Sequence, residues 1–367
     1  MIAIIGATGN VGRPLVRALA AAGNKVVAIS RHAVAGAGEH RTADLAQPAT
    51  LGAALRGAEA MFLMIAGAGD LLDPGAILAA ATAVGVRRVV LLSSIGAKTR
   101  PLAVSHEPLR RFEAEVQRSG AAWTILRPGG FDSNAFGWVP GVRAQRTIAA
   151  PFADVGVPLV DPDDIADVAA AALRGDHAGQ VYELTGPARI SPREQASALA
   201  AALDTPLGFV EQTRAEAAAV WTQFMPATVV ETTLDALGQP TADEQRVSPD
   251  IARVLGRAPR PFTAWAARNA AAFSLATGQP TLVNRVSPEG ARGKPQDRRS
   301  PASGAIDHTR PRGDHDQSST WRHPDYETAA PRSSSVNVRV RIDCLSRGHK
   351  DDTRQQRSRT WTDRRTR

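Results

Sequence analysis

The chain opens on a combination that few folds accommodate. Met1-Ile2-Ala3-Ile4-Ile5 is apolar throughout and runs straight into Gly6-Ala7-Thr8-Gly9-Asn10-Val11-Gly12. The apolar run reads as a buried strand and Val11 to Ala22 as a helix, so the three glycines mark the turn between them. Each glycine has its own physical role. One allows the tight turn, one lets the backbone approach a diphosphate, and one lets the helix pack close to the strand. Free N–H groups at the helix start, reinforced by the positive end of the helix dipole, would face that diphosphate. A glycine triplet alone is a weak signal. Set between a strand and a helix, it predicts a nucleotide site rather than a plain glycine turn.

The strand–helix alternation continues over the first 135 residues. Lys25–Ser30 reads as a second strand, His40–Ala43 as a third, Ala60–Ile65 as a fourth, Arg88–Leu92 as a fifth and Trp123–Leu126 as a sixth. Helices are expected at Leu51–Leu55, from Asp73-Pro74 to Gly85, and at Leu109–Ser119, the second of these carrying Asp at its cap and Pro at its first position. Near-continuous apolar strands alternating with helices predict an α/β, doubly wound parallel sheet of Rossmann type. A cofactor would lie across the strand C-terminal ends, beside the first strand.

From Asp132 the pattern loosens into a smaller C-terminal α/β lobe. A helix is expected from Asp161-Pro162 to Leu173, a strand at Gln180–Leu184, a capping box at Ser191 and Glu194 opening a helix to Leu203, and a further strand at Leu207–Glu211. Asp161, Asp163 and Asp164 fall in a first helical turn, where carboxylates complement the dipole. With no His or Cys close by to complete a ligand set, no metal is expected.

The end of the second strand bears on cofactor choice. Arg31 follows Ser30 directly, and no acidic residue occurs until Glu39. An acid there would accept from a ribose 2′-hydroxyl, whereas an arginine pairs a 2′-phosphate, so NADP(H) is expected over NAD.

The formal charge of +8 suggests a nucleic-acid partner, but its distribution argues otherwise. Thr281–Arg367 holds 19 basic and 11 acidic residues, leaving 25 of each in a neutral Met1–Pro280. All nine Phe and all four Met precede Pro280, and Asn284–Arg367 contains one leucine, Leu345. Such a segment buries too little apolar surface to offset its conformational entropy. Residues 281–367 are therefore expected to be a disordered basic tail, and residues 1–280 the folded body, with a core over about 1–135 and a substrate lobe over about 136–280. Trp321 and Trp361 are too isolated to form a base-stacking surface, so a nucleic-acid role is not expected. The single cysteine, Cys344, permits no disulfide within the chain. No apolar run approaches 18 residues, and a cytoplasmic protein without a membrane partner is expected.

GATGNVG, Ser30-Arg31, LLSSIGA and TILRPGGFDSN together resemble the NmrA-like branch of the atypical short-chain dehydrogenase/reductase superfamily, over roughly Met1 to Phe273. The resemblance implies a Rossmann core with a smaller lobe and substrate between them. It implies either an NAD(P)H-dependent reductase of quinones or azo compounds, or an NADP-sensing regulator with a protein partner and little catalysis. By position, Gly6, Thr8, Gly9, Asn10, Val11 and Gly12 would hold the diphosphate and Arg31 the 2′-phosphate. Ile65, Ala66 and Ser93 would lie along the cofactor, and Gly130, Phe131 and Asn134 near the substrate.

The superfamily's usual proton source is a Tyr with a Lys four residues later. Tyr182 is followed at that spacing by Gly186 and Tyr326 by Ala330, so no such pair exists. A related group places a Lys before the sixth strand, where this chain has His106-Glu107-Pro108-Leu109-Arg110-Arg111. Arg stays protonated and is a poor acid or base. His106 titrates in the right range and is the one candidate acid, set against the commoner role of a histidine that caps a loop. Ser93 and Ser94 are candidates to bond a substrate carbonyl, or only backbone. A reaction that needs little protein acid fits best: hydride transfer to a quinone-like acceptor whose charge its own ring delocalises. Phe131, Phe136 and Trp138 could wall a flat apolar pocket or simply pack the lobe.

Overall fold

The computed structural model describes residues 1–31, 39–65 and 69–274. The tail 281–367, together with Ala66 and His32, lies outside the described residues. Nine strands occur: β1 (Ile2–Ile5), β2 (Val26–Ser30), β3 (Glu39–Thr42), β4 (Ala60–Met64), β5 (Arg88–Leu92), β6 (Ala122–Pro128), β7 (Thr147–Pro151), β8 (Gln180–Leu184) and β9 (Gly208–Gln212) among the described residues. Seven form one sheet in the order β3-β2-β1-β4-β5-β6-β8, and β7 pairs with β9 in a second. Every pairing is parallel. The order reverses between β1 and β4, which opens the crevice where ligands of such sheets bind.

The helices are α1 (Gly12–Ala21), α2 (Leu51–Ala54), α3 (Pro74–Ala83), α4 (Gly96–Thr99), α5 (Glu107–Arg118) and α6 (Val139–Gln145) in the first half. They continue with α7 (Pro162–Arg174), α8 (Pro192–Ala202), α9 (Arg214–Trp221), α10 (Ala227–Gly238), α11 (Asp250–Leu255) and α12 (Phe262–Phe273). Their starts follow the caps in the sequence. Asp73 accepts from the Ala76 N–H at 3.1 Å, Asp161 from the Asp163 N–H at 3.0 Å, and Ser191 with Glu194 forms both bonds of a capping box.

Both faces of the sheet are covered, as the unbroken apolar strands require. Leu15 and Leu19 of α1 pack with Ile165, Val168, Ala169 and Ala172 of α7 on one face. Ile77, Leu78 and Ala81 of α3 and Phe112 and Val116 of α5 fill the other. A third core joins Val139 and Val142 of α6, Leu199 of α8 and Phe262, Trp265 and Phe273 of α12. The lobe is not contiguous in sequence, because α7 and β8 return to the main sheet while α6, α8 and α12 build the lobe.

Ion pairs tie the two parts. Arg100 makes two bonds of 2.8 Å to the nearly buried Glu244, and Arg257 bonds both Asp164 and Asp167 of α7, at 2.7 and 2.6 Å. Arg260 joins the same two aspartates and Arg268 reaches Asp161. The first-turn aspartates therefore serve a cap and an arginine clamp. β7, α4 and α6 were not anticipated in the sequence, β3 begins one residue early at Glu39, and β6 runs from Ala122 to Pro128, one residue earlier and two later than expected.

Candidate functional site

The geometry of the glycine turn explains each glycine. Gly6 has φ +81°, a left-handed conformation that other residues rarely adopt. A Cβ on Gly12 would sit 2.1 Å from the Gly6 carbonyl oxygen and 2.7 Å from the Ala7 Cα, so only glycine lets α1 approach β1 this closely. A Cβ on Gly9 would come 3.3 Å from the Met64 Cε and 3.5 Å from the Gly6 carbonyl oxygen, a much milder crowding. No side chain caps the start of α1 and no acid lies in its first turn, which leaves a positive helix end facing the crevice. These features fit a diphosphate: backbone donors, a field of the right sign, and no competing carboxylate.

The strand ends around this turn bring most of the expected residues together. Asn10 donates from Nδ2 to the Ser133 Oγ at 3.1 Å, joining the glycine turn to the segment after β6. Arg13 donates from Nε to the Thr8 carbonyl at 2.9 Å and so fixes the turn from the helix side. Val11 is buried behind the turn. Ile65 follows β4 directly, half-buried against the core of that face. Arg31 is exposed at the end of β2. Glu39 aligns with Val27, at the opposite end of the neighbouring strand, and pairs with Arg41 at 2.6 Å. The first acid after Arg31 is thus removed from the ribose edge.

The Ser93 and Ser94 hydroxyls, candidates to bond a substrate carbonyl, are engaged within the protein. Ser93 is buried and donates from Oγ to Glu113 at 2.5 Å, and Arg127 holds the same carboxylate at 2.9 and 2.5 Å. The Ser94 Oγ accepts from the Gly96 N–H at 3.1 Å. Lys98 bonds Glu183 at 2.8 Å and Asp243 at 3.1 Å, and these partners raise its pKa further. His106 packs its ring on the Gly96 Cα and lies 3.2 Å from the Ser105 Oγ. Burial, then the nearby Arg110 and Arg100, lower its pKa from the ordinary imidazole value. Tyr182 lies on β8 with its hydroxyl 2.7 Å from the His177 Nδ1, well separated in sheet order from β1.

After β6, Gly130 is exposed, Phe131 is half-buried and Asn134 is exposed. The Phe131 and Trp138 rings flank packed cores, and Phe136 packs edge-on to Trp265 at 4.9 Å and stacks on Phe273 at 6.0 Å. Phe136 is a lobe-packing residue. A cavity of about 480 Å³ lies in the lobe, bordered by Leu159, Ile190, Ser197 and Phe262. Its Leu159 wall lies directly over Gly130, where a Cβ would come within 2.7 Å of Leu159 Cδ2.

Two residues here were missed in the sequence. Ser133 meets Asn10 only through folding. Asp132 is wholly buried with no partner for either carboxylate oxygen, among the described residues. Nothing in the run GGFDSN distinguishes it from a solvated loop acid.

A family model for NAD(P)H-binding proteins matches residues 6–176. The chain is 37% identical over 285 residues to a (4-alkanoyl-5-oxo-2,5-dihydrofuran-3-yl)methyl phosphate reductase of Streptomyces griseus, covering 75% of this chain and 99% of that one. It is 32% identical over 286 residues to an NAD(P)H azoreductase of Xenophilus azovorans, covering 75% and 100%. Its fold matches an NADPH-dependent quinone oxidoreductase of Escherichia coli solved with NADPH, at TM-score 0.62 and 24% identity over 73% of this chain and 99% of that one. The chain belongs to the NAD(P)H-binding family, and both of these sequence relatives are reductases. Among the described residues, no helix is long and apolar enough to cross a membrane, and no group of His, Cys, Asp or Glu is arranged to hold a metal.

Proposed function

We propose that this protein is an NADPH-dependent reductase that delivers hydride to an electron-poor, quinone-like or otherwise conjugated small molecule, without a protein proton relay. The observation that carries the reading is that the polar side chains around the strand ends are already committed within the protein. Ser93 serves Glu113, Lys98 serves Glu183, and the His106 Nδ1 lies against the Ser105 hydroxyl. Such a site contributes positioning more than proton supply.

The glycine turn, Thr8, Asn10 and Val11 hold the diphosphate, and Arg31 pairs the 2′-phosphate. Ile65 and Ser93 border the cofactor, and Gly130, Phe131, Asn134 and Trp138 border the acceptor. The bound nicotinamide supplies the hydride. The chain's part is to hold the acceptor at near-attack distance, an effect of orientation. An acceptor whose negative charge is delocalised takes its proton from solvent. The two reductase relatives fit this class: one acts on a ring bearing two carbonyl groups, the other on azo compounds. Residues 1–280 work as one unit, with the acceptor between core and lobe.

The test is NADPH oxidation followed at 340 nm against quinones, azo dyes and acylated unsaturated lactones. Turnover with any of these supports the reading. Tight NADP binding by calorimetry with no turnover at micromolar protein would favour an NADP-sensing regulator instead.

A further inference from the structure

Asp132 stands apart from every other acid near it. Its side chain is wholly buried, and neither Oδ1 nor Oδ2 meets a donor among the described residues. The neighbouring acids are all satisfied. On α7, Asp161 accepts from the Asp163 N–H and pairs with Arg268 of α12. Asp164 pairs with Arg257 and Arg260 of the preceding loop and accepts from the Arg260 N–H at 2.6 Å. Asp167 takes the same two arginines, and Asp163 feels Arg268, Arg260 and, from α1, Arg17. The glycine turn offers only the uncharged Asn10, and Arg127 of β6 is spent on Glu113.

An ionised carboxylate without a partner in this position would be costly to bury. Burial, then the charges of Asp161 and Asp164, push the Asp132 carboxyl up to about 8, with Arg268 opposing. It is a neutral acid at pH 7 that ionises just above.

The position of Asp132 gives that proton a consequence. Its N–H donates to the Val160 carbonyl at 3.0 Å, and the Val160 N–H donates to the Gly130 carbonyl at 2.8 Å, so residues 130–132 are stitched to the start of the α7 segment. The next side chain, Ser133, is the one that meets Asn10 of the glycine turn. We propose that Asp132 is a positioning residue for the dinucleotide: only as the neutral acid does its side chain stay buried while the backbone bonds of residues 130–132 hold the loop after β6 against α7, presenting Ser133 to Asn10. On losing its proton it is driven out of the buried site and that link to the glycine turn is released. The proposal rests on the reading proposed above, dinucleotide binding at the glycine turn.

The experiment is calorimetric titration of the full chain with NADP at pH 6.5 to 9.5, with circular dichroism at each pH to confirm the fold. The wild-type dissociation constant should rise about three- to tenfold between pH 7 and 9.5, the worth of one hydrogen bond. Asp132→Asn, which cannot ionise, should hold its affinity within about twofold over the same range. Ser133→Ala should already be weakened at pH 7 by the wild-type factor and lose little more on raising the pH. Should Asp132→Asn fail to fold, Asp132→Leu makes the same comparison with an uncharged side chain. A wild-type affinity that is flat with pH, or a slope shared by wild type and Asp132→Asn, overturns the positioning role. A Ser133→Ala slope equal to that of wild type overturns the route through Asn10. Absence of NADP binding at every pH would count against the glycine-turn site itself, which keeps the two failures apart.

Discussion

Gly12→Ala gives the most direct test of why the glycine turn has its shape. The added Cβ would lie 2.1 Å from the Gly6 carbonyl oxygen, whereas ordinary contact begins near 3.4 Å, so α1 must retreat by about 1.3 Å. The obstruction is the backbone of Gly6 and Ala7, and no rotamer relieves it. The retreat lifts the first turn of a helix whose Leu15 and Leu19 are fully buried against the sheet and α7. Overpacking of this kind costs about 1–3 kcal/mol, and the better helix propensity of alanine returns up to about 1 kcal/mol. The net loss should be about 1–2 kcal/mol, or roughly 2–8 °C in Tm for a body of this size. Affinity should fall further, because the same retreat displaces the N–H groups aimed at the diphosphate. A misplacement of about 1 Å is enough to cost on the order of a hundredfold where geometry is exacting. The assay is calorimetry with NADP beside thermal unfolding, using Gly52→Ala in α2 as control, where the new Cβ meets only Val84 Cγ1 at 3.8 Å. Gly52→Ala should keep full affinity. If Gly12→Ala binds NADP within threefold of wild type, the cradle is not what holds the diphosphate.

Three further outcomes are expected. Arg31→Asp should reverse cofactor preference, weakening NADPH by about 10–100-fold through loss of a charge-assisted pair worth about 1.5–3 kcal/mol; an unchanged NADPH-to-NADH ratio in binding would remove Arg31 from the site. Asp132 should also mark folding stability. Its folded pKa is about 8 against 3.8 for the free side chain, so between these values the folded state keeps a proton that the unfolded state has released. Stability conferred by the neutral form is therefore lost as pH rises through this window, by up to about 1.4 kcal/mol per unit. In urea unfolding, Asp132→Asn should gain on wild type between pH 5.5 and 7.5, and parallel pH curves would refute this. Glu113→Ala strands the Arg127 guanidinium and the Ser93 hydroxyl, and should cost about 3–5 kcal/mol. The double change Glu113→Leu with Arg127→Met should recover much of that; strictly additive losses would mean that the pair is not a buried unit.

The dinucleotide reading was legible because its signal is local. A strand, a glycine turn and a helix occupy adjacent residues, and the conformational demands of Gly6 and Gly12 are met within six positions. Helix starts at Asp73, Asp161 and Ser191 were legible for the same reason, since a cap bonds a backbone group two or three residues away. Strand β7 was not, because its support comes from β9, some sixty residues later.

What the sequence determined by itself is the parallel α/β core, the glycine turn and the absence of a Tyr–Lys pair. All three follow from apolar periodicity, glycine spacing and residue identity. Only the tertiary structure decided what the individual polar side chains do. Ser93 turned to Glu113 twenty residues away, Phe136 to Trp265 in the lobe, and Ser133 to Asn10 across 123 residues. Asp132 shows the difference most plainly. In the chain it is one more loop carboxylate; in the fold it is walled from water beside Asp161 and Asp164. A side chain's charge state depends on the solvent and charges around it, and those are assembled by contacts between residues far apart in sequence.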